Sequence, residues 1–318
     1  MRERSETSLG FLTTEHGLQL ALEASNAPMF RQAGSTSDRT RSIGLRFSRD
    51  RQMARSALLN VMVQAAFKAG KSLSRDFGEV QNLQVSLKGP GDYVSQADRK
   101  AEKLIREELL KARPTYGFLG EEGEEIIGTD GAHRWIVDPL DGTTNFLHGI
   151  PHFAVSIALE RQGEIVGAVV FNPATDELYT AERGGGAFLN DRRLRVAARK
   201  HLSDAVIATG TPHLGRGNHG KYLIELRHVM GEVAGIRRMG SAALDLAYVA
   251  AGRFDGYWER DLAAWDIAAG VLLIREAGGW THDINGGARP VDDGSVICGN
   301  EYIVKALTEV VHRPVPTK

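Results

Sequence analysis

Apolar positions along this chain recur with two periods, and the switches between them mark out its elements. From Met53 the residues Leu58, Val61, Met62, Ala65, Ala66 and Ala69 fall at helical spacing, which predicts an amphipathic helix over about 54–76. The polar turn "KGPGD" separates it from a second helix predicted over about 97–112, with Ile105, Leu109 and Ala112 on one face and Leu104 beside them. A loop follows "GFLGEEG", then a strand at "RWIVD" and a short helix at "GTTNFLHG". Residues 153–189 read as an antiparallel meander of "FAVSIALE", "EIVGAVVFN", "ELYTAER" and "GAFLN", joined by turns rich in glycine and proline. Helices near 220–234 and in "SAALDLAYVAAG" precede a strand at "FDGYWE". The helix "WDIAAGVLLIREA" stops at Gly278-Gly279, and a strand "SVICG" and a helix "EYIVKALTEVV" close the chain. No internal repeat is present, and strands and helices mix without strict βαβ alternation. A layered α+β fold is expected rather than a doubly wound sheet.

Residues 1–52 break this pattern. They hold eight arginines, no lysine and six acidic residues, and "RQAGSTSDRTRS" reads as linker or disorder. The acidic residues argue against a transit peptide, and the polar interruptions in "LGFLTTEHGLQLAL" argue against a signal peptide. Two explanations stand: an over-extended start with the working protein beginning near Met53, or a disordered regulatory arm. Either way the chain divides into an extension, 1–52, and one domain, 53–318.

Composition narrows the classes of function. At 318 residues the chain can bury a sizeable core, and a formal net charge of −1 gives no global field for nucleic acid or an anionic membrane. No apolar run approaches the roughly 18 residues of a membrane span. The single cysteine, Cys298, excludes an internal disulfide framework, fits a reducing compartment, and reads as a small buried strand residue. A soluble cytoplasmic protein is expected.

The candidate chemistry is acidic and sits at element ends. Asp138 closes the strand "RWIVD", where Pro139, unable to donate to a ladder, is expected to stop the strand. Asp141 stands at the mouth of the short helix and would serve as its N-cap. "LGEEG" places Glu121 and Glu122 between glycines, and "AAWDIAAG" places Asp266 at the start of an apolar helix. Asp98 follows Ser95 by three residues, the spacing of a capping box. A cap or a solvated loop explains each one singly. Together, with no His or Cys cluster, they are better explained as an oxygen-ligand site for a hard divalent ion such as Mg²⁺ or Mn²⁺. The turn Asp-Gly-Thr-Thr offers helix N–H groups to a phosphate at the same spot, and metals beside such a turn describe phosphoryl hydrolysis.

Taken together, "GEEG", "DPLDGTTNF" and "WDIAAGVLLIREAGG" resemble the inositol monophosphatase family in its bacterial form, from about Met53 to the C-terminus. The resemblance implies a layered αβαβα sandwich, a homodimer, and a magnesium-dependent, lithium-sensitive phosphatase with two or three ions, for which Mn²⁺ can substitute. It implies a first metal on Glu121, Asp138 and the Leu140 carbonyl, and a second on Asp138, Asp141 and Asp266. Asp98 would act through an outer contact or a weaker third metal. Glu121 and Thr143 would position and activate the attacking water, and the amides of Gly142 and Thr143 would grip the phosphate.

For the substrate the resemblance implies a small phosphorylated polyol, with inositol 1-phosphate foremost. Glu259, seven residues before Asp266, would bond a ring hydroxyl, and Gly240, Ser241 and Ala242 of "MGSAALD" would lie near the ring, with Asp141 sharing the contact. A solvated strand-end charge remains open for Glu259. Sugar bisphosphatases, histidinol-phosphate phosphatases and nucleotide 3′-phosphatases share the metal motifs and stay as alternatives. So does a binding role, because some bacterial members of the family are partners of the transcription machinery in antitermination and ribosomal RNA maturation. The arginines of residues 1–52 could contribute to RNA contact, although they do not form a strong basic patch.

Overall fold

The computed structural model describes residues 55–78, 85–89, 92–212 and 217–314, without the side chains of 85–89 and 92–95. The extension 1–52, the tip of the "KGPGD" turn and the Ser95 side chain lie outside the described residues. Two helices, α1 (Ala57–Phe77) and α2 (Gln96–Ala112), flank a hairpin of β1 (Val85–Gly89) and β2 (Asp92–Ser95). Then come β3 (Gly117–Gly120), β4 (His133–Asp141), the one-turn helix α3 (Thr143–Leu147), β5 (Ala154–Arg161), β6 (Glu164–Asn172), β7 (Glu177–Glu182), β8 (Gly186–Leu189) and β9 (Arg192–Arg193). These strands form a seven-stranded sheet in chain order, antiparallel except where β3 runs parallel to β4.

The second half supplies β10 (Val206–Thr209), α4 (His219–Met230), β11 (Gly235–Arg237), α5 (Ala242–Ala250), β12 (Gly256–Arg260), α6 (Ala264–Glu276), β13 (Trp280–His282), α7 (Pro290–Asp293), β14 (Ser295–Gly299) and α8 (Glu301–Val311). Its strands form a five-stranded sheet in the order β11-β10-β12-β14-β13.

Strand alternation sorts the apolar residues into three cores, and the cores define five layers. Trp135, Val137, Ile157 and Val169 pack with Met62, Ala66 and Ile105 of α1 and α2. Their neighbours Ile136, Ala158, Ala168 and Val170 point through the other face of the large sheet onto α5 and α6. Those two helices are buried again by Ala208, Tyr257, Val296 and Cys298 of the small sheet. The opposite face of that sheet, Ile207, Trp258 and Ile297, packs on Val229 of α4 and on Ile303 and Leu307 of α8. The expected αβαβα sandwich follows directly from this alternation. A helix between two sheets has no solvent face, which is why "IAAGVLLI" of α6 is apolar all round. No described helix is long and apolar enough to cross a membrane.

Several expectations change. Pro139 does not end β4: the strand runs on to Asp141 through a register shift between Asp138 and Asp141, where a bulge tolerates a residue without an N–H. The turn region at "KGPGD" belongs to the β1–β2 hairpin, and the helix expected to reach 234 stops at Met230. Strands β10, β11 and β13 were not anticipated. They are only three or four residues long, too short to establish a period. Cys298 is a fully buried strand residue, as expected.

The close approach of α5 and α6 is set by Gly270, where a Cβ would fall 2.5 Å from Leu246 Cδ1 and overlap Leu246 Cβ. Gly270→Ala is therefore expected to destabilise the protein by about 1–3 kcal/mol through overpacking, read as a lower urea midpoint. A variant as stable as the parent would show that the helix pair yields without cost.

Candidate active site

The site forms where β3 and β4 leave the large sheet. Their last paired residues are Gly120 and Val137, so the next residue on each parallel strand, Glu121 and Asp138, emerge at the same level. Asp138 is buried at 2% exposure and pairs in register with Ser156 of β5. The Ser156 hydroxyl donates to the carbonyl of Trp265 at 3.3 Å, which brings the start of α6, and hence Asp266, to the same corner. From the other side α2 contributes Asp98, 1% exposed. Carboxylate oxygens of Asp98, Glu121 and Glu122 lie within 4.8 Å of one another. Glu122 thereby joins the cluster, although sequence reasoning gave it no separate role.

The bulge in β4 shapes what lies between these acids. Asp138 Oδ1 accepts the N–H of Leu140 at 2.9 Å, turning the chain back on itself. Thr143 Oγ1 is 3.0 Å from the Leu140 carbonyl oxygen and 3.3 Å from Asp98 Oδ2, so its single hydrogen is shared between two acceptors. Gly142 takes φ 92°, and a Cβ there would come within 3.0 Å of the His152 carbonyl, so this corner needs glycine. Asp141 does not cap α3 as expected, because Gly142 occupies the N-cap position without a side-chain bond. Its carboxylate instead accepts the Ser241 hydroxyl at 2.5 Å and the Ala243 N–H at 2.7 Å, at the start of α5. Asp266 sits in the first turn of α6, past the cap, and accepts the Ala263 N–H at 2.7 Å.

Electrostatics bind these residues into one unit. The Asp138 carboxyl is pushed well above the usual carboxylate range, first by burial and then by Glu121, Asp141, Asp266 and Asp98. Asp266 is raised for similar reasons, by burial and by Asp141. Asp141 is raised to about 6 by burial, held down partly by its bonds to α5 and by Arg238. The donor set is oxygen only. It fits a hard divalent cation, whose charge is what this repulsion lacks, and not a metal that wants thiolate or imidazole.

A cavity of about 220 Å³ opens beside this corner, lined by Asp141, Gly240, Ser241, Ala242, Glu259 and Asp266 among others. The sequence-expected substrate contacts thus share a wall with two of the expected metal ligands. Glu259 lies within the cavity wall rather than at a solvated strand end. Removal from water raises its carboxyl to about 7, against the hydroxyl of the fully buried Tyr257, which donates to it. Three further cavity or support residues were missed. Arg238, in "RRMGS", lowers the pKa of both Asp141 and Glu259. Asp245, one turn into α5, is 1% exposed with Oδ1 unpartnered and is raised by burial and by Glu259. Asn145 donates to the carbonyls of His152 at 2.8 Å and Met239 at 2.9 Å, fastening α3 to the segment that carries Gly240. Their only sequence signal was closeness to "DGTTNF" and "GSAALD".

Comparison with known proteins agrees with the fold and with the family resemblance. The model of the inositol monophosphatase family matches residues 54–315. An inositol-1-monophosphatase of Rhizobium meliloti is 87% identical over 266 residues, covering 84% of this chain and all of the relative. The Nus factor SuhB of Escherichia coli K12 is 44% identical over 250 residues, covering 79% of this chain and 94% of the relative. Among solved structures, the extragenic suppressor protein suhB of Bartonella henselae is 67% identical with a TM-score of 0.80, covering 82% of this chain and all of that one.

The raised carboxyls make stability depend on pH in a defined sense. A carboxyl whose folded pKa exceeds its unfolded value keeps a proton that the unfolded chain has lost, so stability falls as pH rises through that interval. For Asp141 and Glu259 the interval runs from their usual 3.8 and 4.5 up to about 6 and about 7. Chelator-treated protein should therefore melt at a lower temperature at pH 8 than at pH 5, and Asp141→Asn should reduce that difference. An identical pH slope in the variant would show that Asp141 carries no such strain.

Proposed function

We propose, since the chain belongs to the inositol monophosphatase family, that it is a magnesium-dependent phosphomonoesterase acting on inositol 1-phosphate and related polyol phosphates. The observation that carries this reading is the convergence of Asp98, Glu121, Asp138, Asp141 and Asp266 from α2, the end of β3, β4 and α6 beside a cavity walled by Glu259. The proposed activity belongs to residues 53–318, in keeping with the span of the family match.

In this reading Glu121, Asp138 and the Leu140 carbonyl hold one cation, and Asp138, Asp141 and Asp266 hold another, with Asp98 at a weaker position. Bound there, the cations neutralise the phosphate and the charge that develops on attacking and leaving oxygens. The chain's own groups do the rest. Thr143, whose hydrogen points among acceptors, offers its oxygen to a water, and Glu121 accepts that water's proton. The amides of Gly142 and Thr143 face the phosphate as donors. Water adds to phosphorus in line as the P–O ester bond breaks, and the departing alkoxide takes a proton from solvent water, giving the free polyol and inorganic phosphate. Glu259 accepts a ring hydroxyl, and Gly240, Ser241 and Ala242 bound the ring. Asp141, fastened to Ser241, couples the metal side of the pocket to the ring side.

The homodimer and lithium sensitivity implied by the family resemblance are part of the same proposal. A second reading, binding to the transcription machinery, is favoured by the 44% identity to a relative named as a Nus factor. It is compatible with catalysis and does not replace it.

Phosphate release from inositol 1-phosphate, titrated with Mg²⁺, is the direct test. Turnover is expected to require the metal, and Asp266→Asn should reduce it by at least the roughly 100-fold that losing an outer-shell partner can cost a metal site. Metal-independent turnover, or near-normal rates in the variant at limiting Mg²⁺, would contradict the assignment. Failure of the folded protein on every ester, fructose 1,6-bisphosphate and histidinol phosphate included, would move the weight to the binding role. Glu259→Gln should alter the preference among polyol phosphates while sparing a simple alkyl phosphate. An equal loss on all esters would remove Glu259 from ring recognition.

A further inference from the structure

One buried charge near the carboxylate corner takes no part in the chemistry above. Glu102 lies one helical turn after Asp98 on α2 and is 3% exposed. Its Oε2 accepts the backbone N–H of Glu122 at 2.7 Å, and its Oε1 accepts Arg106 Nη2 at 2.5 Å, one further turn along. The Arg106 guanidinium in turn stands 5.0 Å over the ring of Phe118 on β3. The chain therefore spends a buried carboxylate, answered by a partly exposed arginine, on the backbone of the "GEEG" loop.

The glycines of that loop explain what the pair does. A Cβ at Gly120 would come within 2.8 Å of Glu102 Cδ, and one at Gly123 within 2.7 Å of Glu102 Oε1 and 3.0 Å of Arg106 Cζ. Neither glycine has a positive φ, so conformational freedom is not the reason for them. Both make room for the Glu102–Arg106 pair beneath the two glutamates.

We propose that Glu102, backed by Arg106, is a positioning residue that holds the Glu121–Glu122 loop in place for the divalent cation. The proposal rests on the metal reading of the site. The physical need is plain: both glutamates gather with Asp98 and Glu121 also repels Asp138, so an unanchored loop would swing outward to water. By fixing the Glu122 N–H, Glu102 holds the backbone from which both glutamate side chains extend. Arg106 supplies the counter-charge that lets Glu102 stay under the loop.

The test is Mg²⁺ binding to metal-stripped full-length protein by calorimetry, with melting curves to establish folding. Glu102→Ala should weaken binding about 10- to 100-fold, the usual effect of removing an outer partner, and Glu102→Gln, which keeps an acceptor for the Glu122 N–H, should weaken it less. Gly123→Ala, which crowds Arg106 and Glu102 Oε1 while leaving every expected metal ligand unchanged, should weaken binding as well. In turnover assays the Mg²⁺ concentration for half-activation should rise while kcat at saturating Mg²⁺ holds. That split separates positioning from general loss of structure. If Glu102→Ala does not fold, Glu102→Gln and Gly123→Ala carry the test. Wild-type Mg²⁺ affinity in folded variants would overturn the proposal. A wild-type protein that binds no Mg²⁺ would overturn the metal reading beneath it.

Discussion

Mutual repulsion among carboxylates held out of water is the constraint on which this structure turns. Asp138 is almost fully buried, with Glu121, Asp141, Asp266 and Asp98 all raising its pKa. Ionised together in a medium less polarisable than water, such groups would be intolerable without a compensating positive charge. Arg238 answers only part of this demand, on the side of Asp141 and Glu259. The remainder calls for a cation brought from outside. A five-layer sandwich provides the stiffness to hold the acids ready for it, because the carboxylates are carried by α2, the end of β3, β4 and α6, all of them packed elements.

Anchoring is done mainly by backbone N–H groups. Asp138 is held by Leu140, Asp141 by Ala243, Asp266 by Ala263, and the Glu121–Glu122 loop through the bond from Glu122 to Glu102. Each bond uses one carboxylate oxygen or one amide and leaves other lone pairs for a ligand. Asp141 has a particular place, because one of its oxygens is tied to Ser241 and Ala243 at the start of α5. The geometry of the ring-facing wall is thereby linked to the geometry of the metal corner, and a change in either is felt by the other.

Much of this was legible in the sequence. Period-two runs such as "FAVSIALE" and "EIVGAVVFN" identified the meander, and "WDIAAGVLLIREA" identified an apolar helix, which the fold buries between two sheets. The acids at element ends stood out because a core strand or helix start rarely carries so many. Local rules failed where tertiary contacts override them. Pro139 should have ended a strand, yet a bulge carries β4 past it, and Asp141 accepts bonds from Ser241 and Ala243 at the start of α5, about one hundred residues away, instead of capping the adjacent α3. Asn145 and Asp245 lie within "DGTTNF" and "GSAALD" and Arg238 just before the latter, but sequence reasoning assigned none of them a role because their partners are distant in the chain. Only the fold brings Asn145 against Met239 and Arg238 into the cavity beside Glu259.

The most direct test of this account is anomalous diffraction from crystals grown with Mn²⁺, at a pH where the carboxyls are ionised. Mn²⁺ is chosen because it takes the same oxygen ligands as Mg²⁺ and scatters anomalously. The account requires strong peaks between Glu121, Asp138 and the Leu140 carbonyl, and between Asp138, Asp141 and Asp266. A corner empty of metal in ordered, Mn²⁺-saturated crystals, with the carboxylates still gathered, would contradict it and leave their burial in need of another cause.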